Sequence, residues 1–259
     1  MTKGISLYQL APAIMPGDAI SNCALALHRS ARERGYNSQV FARWIDPSMR
    51  GQVFPLEHCK PRRGDILLYH FGLGSELTDF VIRNSHARIV LIYHNLTPPH
   101  YFKYEDPLLA QSLQVGKDQL AQLKGVVDLA LADSNYSARE LSAIGYSNLA
   151  VVPPVDLDDK YEIPPDKATL ERFADGKTNL LFVSRIAPNK KQEDIIKVFY
   201  YYRHINPESR LLLVGPLGVT KVYYRWLLDL VGYLGLPDVH FTDRVSQEEL
   251  NAYYRLADV

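Results

Sequence analysis

Short apolar runs alternate with segments of helical periodicity in two stretches of the chain, 5–152 and 179–256. Val127–Ala132 is almost entirely apolar, as expected of a strand that helices cover on both faces. Such alternation predicts parallel sheets with helices packed on them. The predicted strands are Ile5–Leu10, Gln39–Ala42, Asp65–Tyr69, Arg88–Tyr93, Val127–Ala132, Leu149–Val152, Asn179–Ser184, Arg210–Val214 and Val239–Thr242. The predicted helices are Asp18–Arg34, Ser75–Arg83, Pro107–Leu123, Asn135–Ile144, Gln192–His204, Val222–Leu234 and Gln247–Leu256.

The segment between the two stretches is rich in proline and acidic residues, "PPVDLDDKYEIPPDKATLERFADG". Such a composition is typical of an inter-domain connection. We therefore predict a first domain over 1–155, a linker over 156–177 and a second domain over 178–259. Because the second part supplies only three strands, we expect that domain to be incomplete and the chain to be a fragment of a longer protein.

The charge balance excludes a global electrostatic field. Of the 259 residues, 29 are Lys or Arg and 29 are Asp or Glu, so nothing favours a nucleic acid as partner. The two cysteines form neither a zinc spacing nor a disulfide framework. No apolar run reaches the length of a membrane span, and the N-terminus does not resemble a signal peptide. We predict a cytoplasmic protein, and the basic run "KPRR" at 60–63 leaves peripheral association with the inner face of a membrane open.

The turn "SRIAPNKK", residues 184–191, gathers three cations between a predicted strand and a predicted helix. Ligands of parallel sheets bind at the carboxyl ends of the strands, where this turn lies. Arg185 and Lys190, together with the positive end of the helix dipole, predict a site for a phosphate-like anion. Full charges suit a diphosphate that gains negative charge as it leaves. A solvated loop, kept soluble by its lysines, is the alternative from position alone.

Several nucleotide-binding and hydrolytic motifs are missing from the sequence. It contains no G-x-G-x-x-G, no G-x-x-x-x-G-K-[ST] and no G-x-S-x-G. A dinucleotide cofactor, a P-loop ATPase and a nucleophile elbow are therefore not expected. The "FGLGS" at 71–75 is predicted to form a tight turn.

Two histidines, His70 and His94, stand at the ends of predicted strands. A histidine there can accept a proton or bond a substrate hydroxyl near neutral pH. The alternative is a half-buried side chain that loop backbone satisfies. A metal site formed by His70, His94 and His100 is conceivable, but their spacing does not demand it, so we predict no metal.

Two further turns are candidates for ligand contact. Gly17 precedes a helix and could let a sugar or phosphate approach the backbone, whereas capping alone would explain Asp18. Gly35 is predicted to follow the end of the same helix. Ser134 or Asn135 is expected first of all to cap the helix that follows.

Taken in order, these segments resemble glycosyltransferase family 4, retaining enzymes of the two-domain GT-B fold. The resemblance covers essentially the whole chain and rests on "FVSRIAPNKKQEDII", "YHN", "LALADSNYSARELSAIGY", "VVPPVDLDDKY", "LLLVGPLG" and "VHFTDRVSQEELNAYYRLADV". It implies an α/β fold of GT-B type with two Rossmann-like domains and parallel sheets. The family's pair of glutamates, which contacts the donor sugar and ribose, would lie beyond Val259.

The resemblance also implies roles for individual residues. Arg185 and Lys190 would hold the diphosphate of a nucleotide sugar, and His94 would lie near the reacting sugar and the acceptor. Lys191 stands where relatives often have glycine, so its role is unassigned. Gly215 and Arg244–Val245 would lie near the nucleotide base, and the loop of Gly17 and Asp18 would border the cleft. We also predict His70 and Ser134 as residues of the acceptor side or the cleft.

We therefore predict a retaining glycosyltransferase that moves a sugar from a UDP- or GDP-linked donor to a hydroxyl of a saccharide or lipid-linked acceptor. The nucleotide sugar is a co-substrate, and neither a cofactor nor a metal is predicted. One alternative is a truncated, non-catalytic glycan-binding or scaffold protein. Another is a sugar-nucleotide epimerase on the same scaffold.

Overall fold

The computed structural model describes residues 4–154, 159–218 and 221–259. The chain forms two compact units. The first comprises Met1–Pro99 and Leu108–Leu157, and the second comprises His100–Pro107 and Asp158–Val259. Residues 155–158, which include the start of the predicted linker, lie outside the described residues.

The first unit contains a seven-stranded parallel sheet of order β3-β2-β1-β4-β5-β6-β7. Helices accompany the strands, as the alternation predicts. The strands are β1 Ser6–Ile14, β2 Asn37–Ile45, β3 Phe54–Pro55, β4 Ile66–Phe71, β5 Arg88–Tyr93, β6 Leu129–Ala132 and β7 Leu149–Val151. The helices are α1 Ala19–Glu33, α2 Leu77–Arg83, α3 Pro107–Leu123 and α4 Asn135–Ile144.

Helix α1 begins and ends where the sequence predicts. The Asp18 carboxylate accepts a hydrogen bond from the Ser21 backbone N–H at 2.9 Å, which satisfies a donor that the helix leaves free. Gly35 follows the helix with φ of +80°, a conformation that glycine adopts readily. Both predicted end signals are confirmed.

Strand β1 continues four residues past its predicted end at Leu10. Pro12 lies within this extension and has no backbone N–H to donate. β4 pairs with β1 only as far as Leu10, whereas β2 pairs with it up to Ile14. A proline is tolerated where a strand has a free side.

The predicted tight turn "FGLGS" packs against α3. The Gly74 N–H donates to the Ser112 carbonyl at 3.2 Å. A Cβ at Gly74 would lie 2.4 Å from the Gly116 nitrogen, so the two backbones approach each other more closely than any side chain allows. Glycine serves packing at this turn.

The second unit contains a three-stranded parallel sheet of order β10-β9-β8. Leu211 and Leu213 belong to one buried cluster and Leu212 and Val214 to another, because successive side chains of a strand alternate between faces. The strands are β8 Thr178–Val183, β9 Ser209–Val214 and β10 Val239–Phe241. The helices are α5 Lys167–Arg172, α6 Gln192–Ile205, α7 Val222–Tyr233 and α8 Gln247–Leu256.

Helix α5 lies inside the stretch for which the sequence predicts only a linker. The Asp166 carboxylate caps it by accepting from the Thr169 N–H at 2.7 Å. Phe173, just past its end, is buried in the same cluster as Tyr253 of α8. These contacts make α5 part of the packed second unit.

Candidate functional site

The turn after β8 has the geometry that its sequence predicts. β8 ends at Val183, Pro188–Lys190 form a 3-10 turn, and α6 begins at Gln192. The Gln192 side chain is wholly buried, and its amide nitrogen donates to the Ser184 hydroxyl and to the Arg185 carbonyl at 2.9 Å each. This amide ties the start of the turn to the N-terminus of the helix.

The two predicted phosphate-binding cations are exposed. Within residues 4–154, 159–218 and 221–259, no carboxylate forms an ion pair with Arg185 or Lys190. The Arg185 guanidinium carbon lies 5.9 Å from the ring centre of Phe102, a residue of the same unit. Two cations that lack acidic partners stand beside a helix N-terminus, an arrangement suited to binding an anion.

Lys191 differs from its neighbours in both charge and backbone. Its ammonium lies 3.2 Å from a Glu193 carboxylate oxygen, and this pairing raises the pKa of the lysine. Its φ of +57° is left-handed. Since glycine adopts this conformation without strain, the backbone at Lys191 is compatible with the glycine that the resemblance leads us to expect at this position.

We expect Lys191→Gly to leave binding of a diphosphate unchanged and to keep or raise the free energy of unfolding, by up to about 1 kcal/mol. The substitution relieves left-handed strain, and it removes the ion pair with Glu193 and a contact of the ammonium with the Tyr101 ring at 5.7 Å, which offset part of the gain. Chemical denaturation and titration with a nucleoside diphosphate measure the two effects. Loss of diphosphate binding would assign Lys191 to the anion site.

The predicted nucleotide-base loops meet at the carboxyl ends of β9 and β10. Gly215 forms an isolated bridge with Asp243 and has φ of +138°. The Asp243 carboxylate accepts from the Leu217 and Arg244 N–H groups at 3.2 and 2.8 Å. Arg244 is exposed and Val245 half-buried. The structure thus places Gly215, Arg244 and Val245 near one another, and their contact with a base stays a prediction.

His70 and His94 come together in the first unit. His70 Nδ1 lies 3.0 Å from His94 Nε2, and the two ring planes are nearly parallel, with an interplanar angle of 14° and ring centres 5.2 Å apart. His70 Nε2 lies 2.8 Å from the Gln9 side-chain oxygen. His70 and Gln9 are buried, whereas His94 is only partly so. The two histidines form a hydrogen-bonded pair rather than two independent loop residues.

Cys23 of α1 completes a cluster that sequence reasoning missed. Its sulfur and one nitrogen of each histidine lie within 4.8 Å of one another, close enough for such groups to share a metal ion. The hydrogen bond between the rings already uses one nitrogen of each, so we interpret the cluster as a hydrogen-bonded pair, not as metal ligands. His100 belongs to the second unit.

Three other predicted residues act as turn or cap residues in the first unit. Asp18 caps α1, Gly17 before it has φ of +76°, and the Ser134 hydroxyl caps α4 by accepting from the Ser137 N–H at 3.2 Å. The cap predicted at Ser134 or Asn135 is Ser134. Their contact with an acceptor stays a prediction.

Burial governs the protonation of the histidine pair. Desolvation lowers the pKa of His70 well below 6.5, and the charge of His94 lowers it further. Desolvation also lowers the pKa of His94, whereas Asp133 and Asp18 act to raise it. Both rings are therefore neutral at neutral pH.

We expect the protein to lose stability as the pH falls below 6.5. The unfolded chain then binds a proton at His70 that the folded chain does not bind, so acid favours unfolding by roughly 1 kcal/mol per pH unit for this group. His70→Gln should reduce the slope of unfolding free energy against pH between 6.5 and 5, measured by urea denaturation. Ser137→Ala is the control, because Ser137 is buried but does not ionise. An unchanged slope in His70→Gln would contradict the neutral state assigned to the buried His70.

Sequence reasoning missed Gln9 and Gln192 as well as Cys23. Gln9 interrupts the apolar run of β1, and Gln192 begins α6 beside the cations. A glutamine within a buried strand is a signal that could have identified the first, because a buried amide needs a partner.

Comparison with known proteins finds similarity in sequence to glycosyltransferases. Residues 167–259 match the model of the family described as "Glycosyl transferases group 1". The chain is also 30% identical over 153 residues to a GDP-mannose-dependent alpha-(1-6)-phosphatidylinositol monomannoside mannosyltransferase of Mycolicibacterium smegmatis. This match covers 57% of the chain, and the chain spans only 39% of that relative.

Solved structures extend the likeness to nearly the whole chain. The Anabaena protein HepE, determined in complex with UDP-glucose, matches with a TM-score of 0.69 and 13% identity over 98% of this chain and 72% of its own. A sucrose-phosphate synthase from Thermosynechococcus elongatus matches with a TM-score of 0.66 and 15% identity over 98% and 74%. At such identities the likeness concerns the fold, and it confirms the α/β class with parallel sheets of GT-B type. Together the matches support the resemblance to GT-B glycosyltransferases.

Among the described helices, none is both long and apolar enough to cross a membrane.

Proposed function

We propose that the protein transfers a sugar from a nucleoside diphosphate sugar to a hydroxyl acceptor, with retention of the anomeric configuration. One observation carries the proposal. Arg185 and Lys190 have no acidic partner among the residues that the structure describes, and they lie at the carboxyl end of a parallel sheet beside the N-terminus of α6, in the segment that matches the family model. This arrangement suits a diphosphate.

The cations would act on the leaving group. As the bond between the sugar and the diphosphate breaks, negative charge develops on the departing oxygen. Arg185 and Lys190 would therefore bind the diphosphate more strongly in the transition state than in the ground state. The acceptor oxygen forms the new bond, and its proton passes to the leaving phosphate oxygen. In this scheme neither a metal ion nor a protein base is needed.

The donor proposed is a UDP- or GDP-linked sugar. HepE was solved with UDP-glucose, and the Mycolicibacterium mannosyltransferase depends on GDP-mannose, so both nucleotides are reasonable candidates. We propose a saccharide or a lipid-linked saccharide as acceptor. The reaction would take place in the cytoplasm or at the inner face of a membrane.

A transfer assay tests the proposal. The protein is incubated with UDP-glucose or GDP-mannose and a lipid extract of membranes, and both nucleoside diphosphate release and glycosylated product are followed by mass spectrometry. We expect one donor to give product only when acceptor is present. The one-bond coupling between C1 and H1 of the transferred sugar should indicate the same anomeric configuration as in the donor. Inversion at that carbon would contradict retention.

The same incubation separates the alternatives when proton NMR follows the donor sugar, whose epimer has the same mass, and a titration measures acceptor binding. A non-catalytic glycan-binding protein would bind the acceptor and release no nucleotide from either donor. An epimerase would change the sugar of the donor with no acceptor present. Either result would replace the proposed transfer.

A further inference from the structure

Gln9, His70 and His94 form a continuous chain of hydrogen bonds in the first unit. Gln9 of β1 lies opposite Leu68 of β4, so its side chain shares a sheet face with His70, two residues further along β4. His94 directly follows β5, and its backbone N–H donates to the Phe71 carbonyl at 2.9 Å. Three neighbouring parallel strands therefore hold the three side chains in place.

The partners determine which nitrogen of His70 carries a proton. The Gln9 oxygen only accepts hydrogen bonds, so His70 Nε2 at 2.8 Å must donate to it. A neutral imidazole has one N–H and one lone pair, which leaves the lone pair on His70 Nδ1. Burial keeps this ring neutral, since His70 is wholly inaccessible to solvent.

The same reasoning extends to His94. Because His70 Nδ1 can only accept, His94 Nε2 at 3.0 Å must carry the proton and donate. The lone pair of a neutral His94 then resides on Nδ1. Gln9 thus determines the tautomer of a histidine with which it makes no hydrogen bond.

We propose that Gln9 and His70 act as positioning residues that hold His94 in the Nε2–H tautomer, so that His94 Nδ1 accepts a hydrogen bond from a hydroxyl of the bound sugar. The contact with a sugar rests on the proposed function. The tautomer itself does not, because it follows from the hydrogen bonds within the first unit.

The charged and titratable groups around His94 are compatible with this state. Asp18, the cap of α1, and Asp133, after β6, are the carboxylates that act on it. His70 contacts it from β4, and Cys23 lies nearby on α1. The two carboxylates favour a positive His94, and the burial of the pair opposes them.

Nitrogen-15 NMR of the histidine-labelled protein at neutral pH tests the tautomer directly, since a protonated ring nitrogen and one with a lone pair have different shifts. Signals of His70 and His94 are assigned from the spectra of His70→Gln and His94→Gln. We expect both rings in the Nε2–H form. A His94 that carries its proton on Nδ1 in the wild-type protein would overturn the proposal.

Gln9→Leu tests the origin of the tautomer. Without the acceptor, His70 is free to protonate at Nδ1, and the His94 signals should shift toward the other tautomer. Gln119→Leu is the matched control, because it removes a partly buried amide that bonds Ser75 and Thr78 elsewhere in the same unit. An unchanged His94 in a folded Gln9→Leu protein would remove Gln9 from the proposal.

Two substitutions of His94 test which nitrogen contacts the sugar. The side-chain oxygen of Asn takes a position close to Nδ1, whereas that of Gln takes one close to Nε2. In the transfer assay we expect His94→Asn to keep kcat within about tenfold and His94→Gln to lose on the order of 10²-fold. The reverse order would assign the contact to Nε2.

The NMR measurement of the tautomer and the transfer assay together separate this inference from the proposed function. If no donor supports transfer although the Nε2–H tautomer is found, the proposed function and the sugar contact fail together, and the hydrogen-bond relay stands. If transfer occurs and His94 carries its proton on Nδ1, the proposed function stands and the relay fails.

Discussion

Arg185→Ala and Lys190→Ala are each expected to lower the turnover of nucleotide-sugar transfer by on the order of 10²–10³. Each substitution removes one positioned charge from the place where the leaving diphosphate becomes more negative. Arg185 and Lys190 are exposed, so their removal should cost little stability. Steady-state rates at saturating donor measure the effect, because a contact made mainly in the transition state lowers kcat.

Lys197→Ala is the matched control for this pair. Lys197 lies on α6, the helix that follows the turn, is exposed and is paired with Asp194 at 3.2 Å. Its removal changes the net charge by the same amount as each of the other two substitutions. Because Lys197 lies beyond the first turn of the helix, turnover should stay within about twofold of wild type. Wild-type turnover in both Arg185→Ala and Lys190→Ala would contradict the account of the turn.

Gly215→Ala is expected to lower the free energy of unfolding by roughly 2–4 kcal/mol. A Cβ at this position would lie 2.3 Å from the Ser184 carbonyl oxygen and 2.8 Å from its carbon. These are backbone atoms, which cannot move aside without shifting the turn that carries Arg185. The φ of +138° adds strain for any residue with a side chain. Thermal or urea denaturation measures the loss.

Gly232→Ala provides the contrast within the same unit. Gly232 lies in α7, and a Cβ there would meet nothing within 4 Å. Alanine favours a helix more than glycine does, so stability should stay the same or rise by up to about 1 kcal/mol. Equal effects of the two substitutions would show that the close approach of Gly215 to Ser184 has no energetic consequence.

Local pattern was enough to predict most of the helices and strands. The strand and helix on either side of the cationic turn differ from β8 and α6 by one residue at most, because the strand is apolar and the helix periodic. The cap at Asp18 and the glycine at position 35 could also be predicted from the local sequence at the two ends of the helix. Each depends only on neighbours along the chain.

Elements that depend on distant contacts could not be predicted. β3 has only two residues, and it is a strand because it pairs with Phe41 and Ala42 of β2. The helix propensity of α5 is hidden by the prolines and acidic residues around it in the sequence. The residue after its end, Phe173, is buried in a cluster with Tyr253, which is distant in the sequence. The link from Gln9 to His94 joins residues 85 positions apart through His70, and nothing in the local sequence reveals it.

The most direct test of the central claim is a calorimetric titration of the protein with UDP and GDP, with uridine and guanosine as ligands that lack the diphosphate. We predict that a diphosphate binds, that its nucleoside binds far more weakly, and that Lys190→Ala weakens diphosphate binding by roughly 10- to 100-fold while Lys197→Ala does not. Equal affinity for nucleoside and diphosphate, or diphosphate binding unchanged by Lys190→Ala and Arg185→Ala, would contradict the assignment of the turn at 184–191 as the diphosphate site.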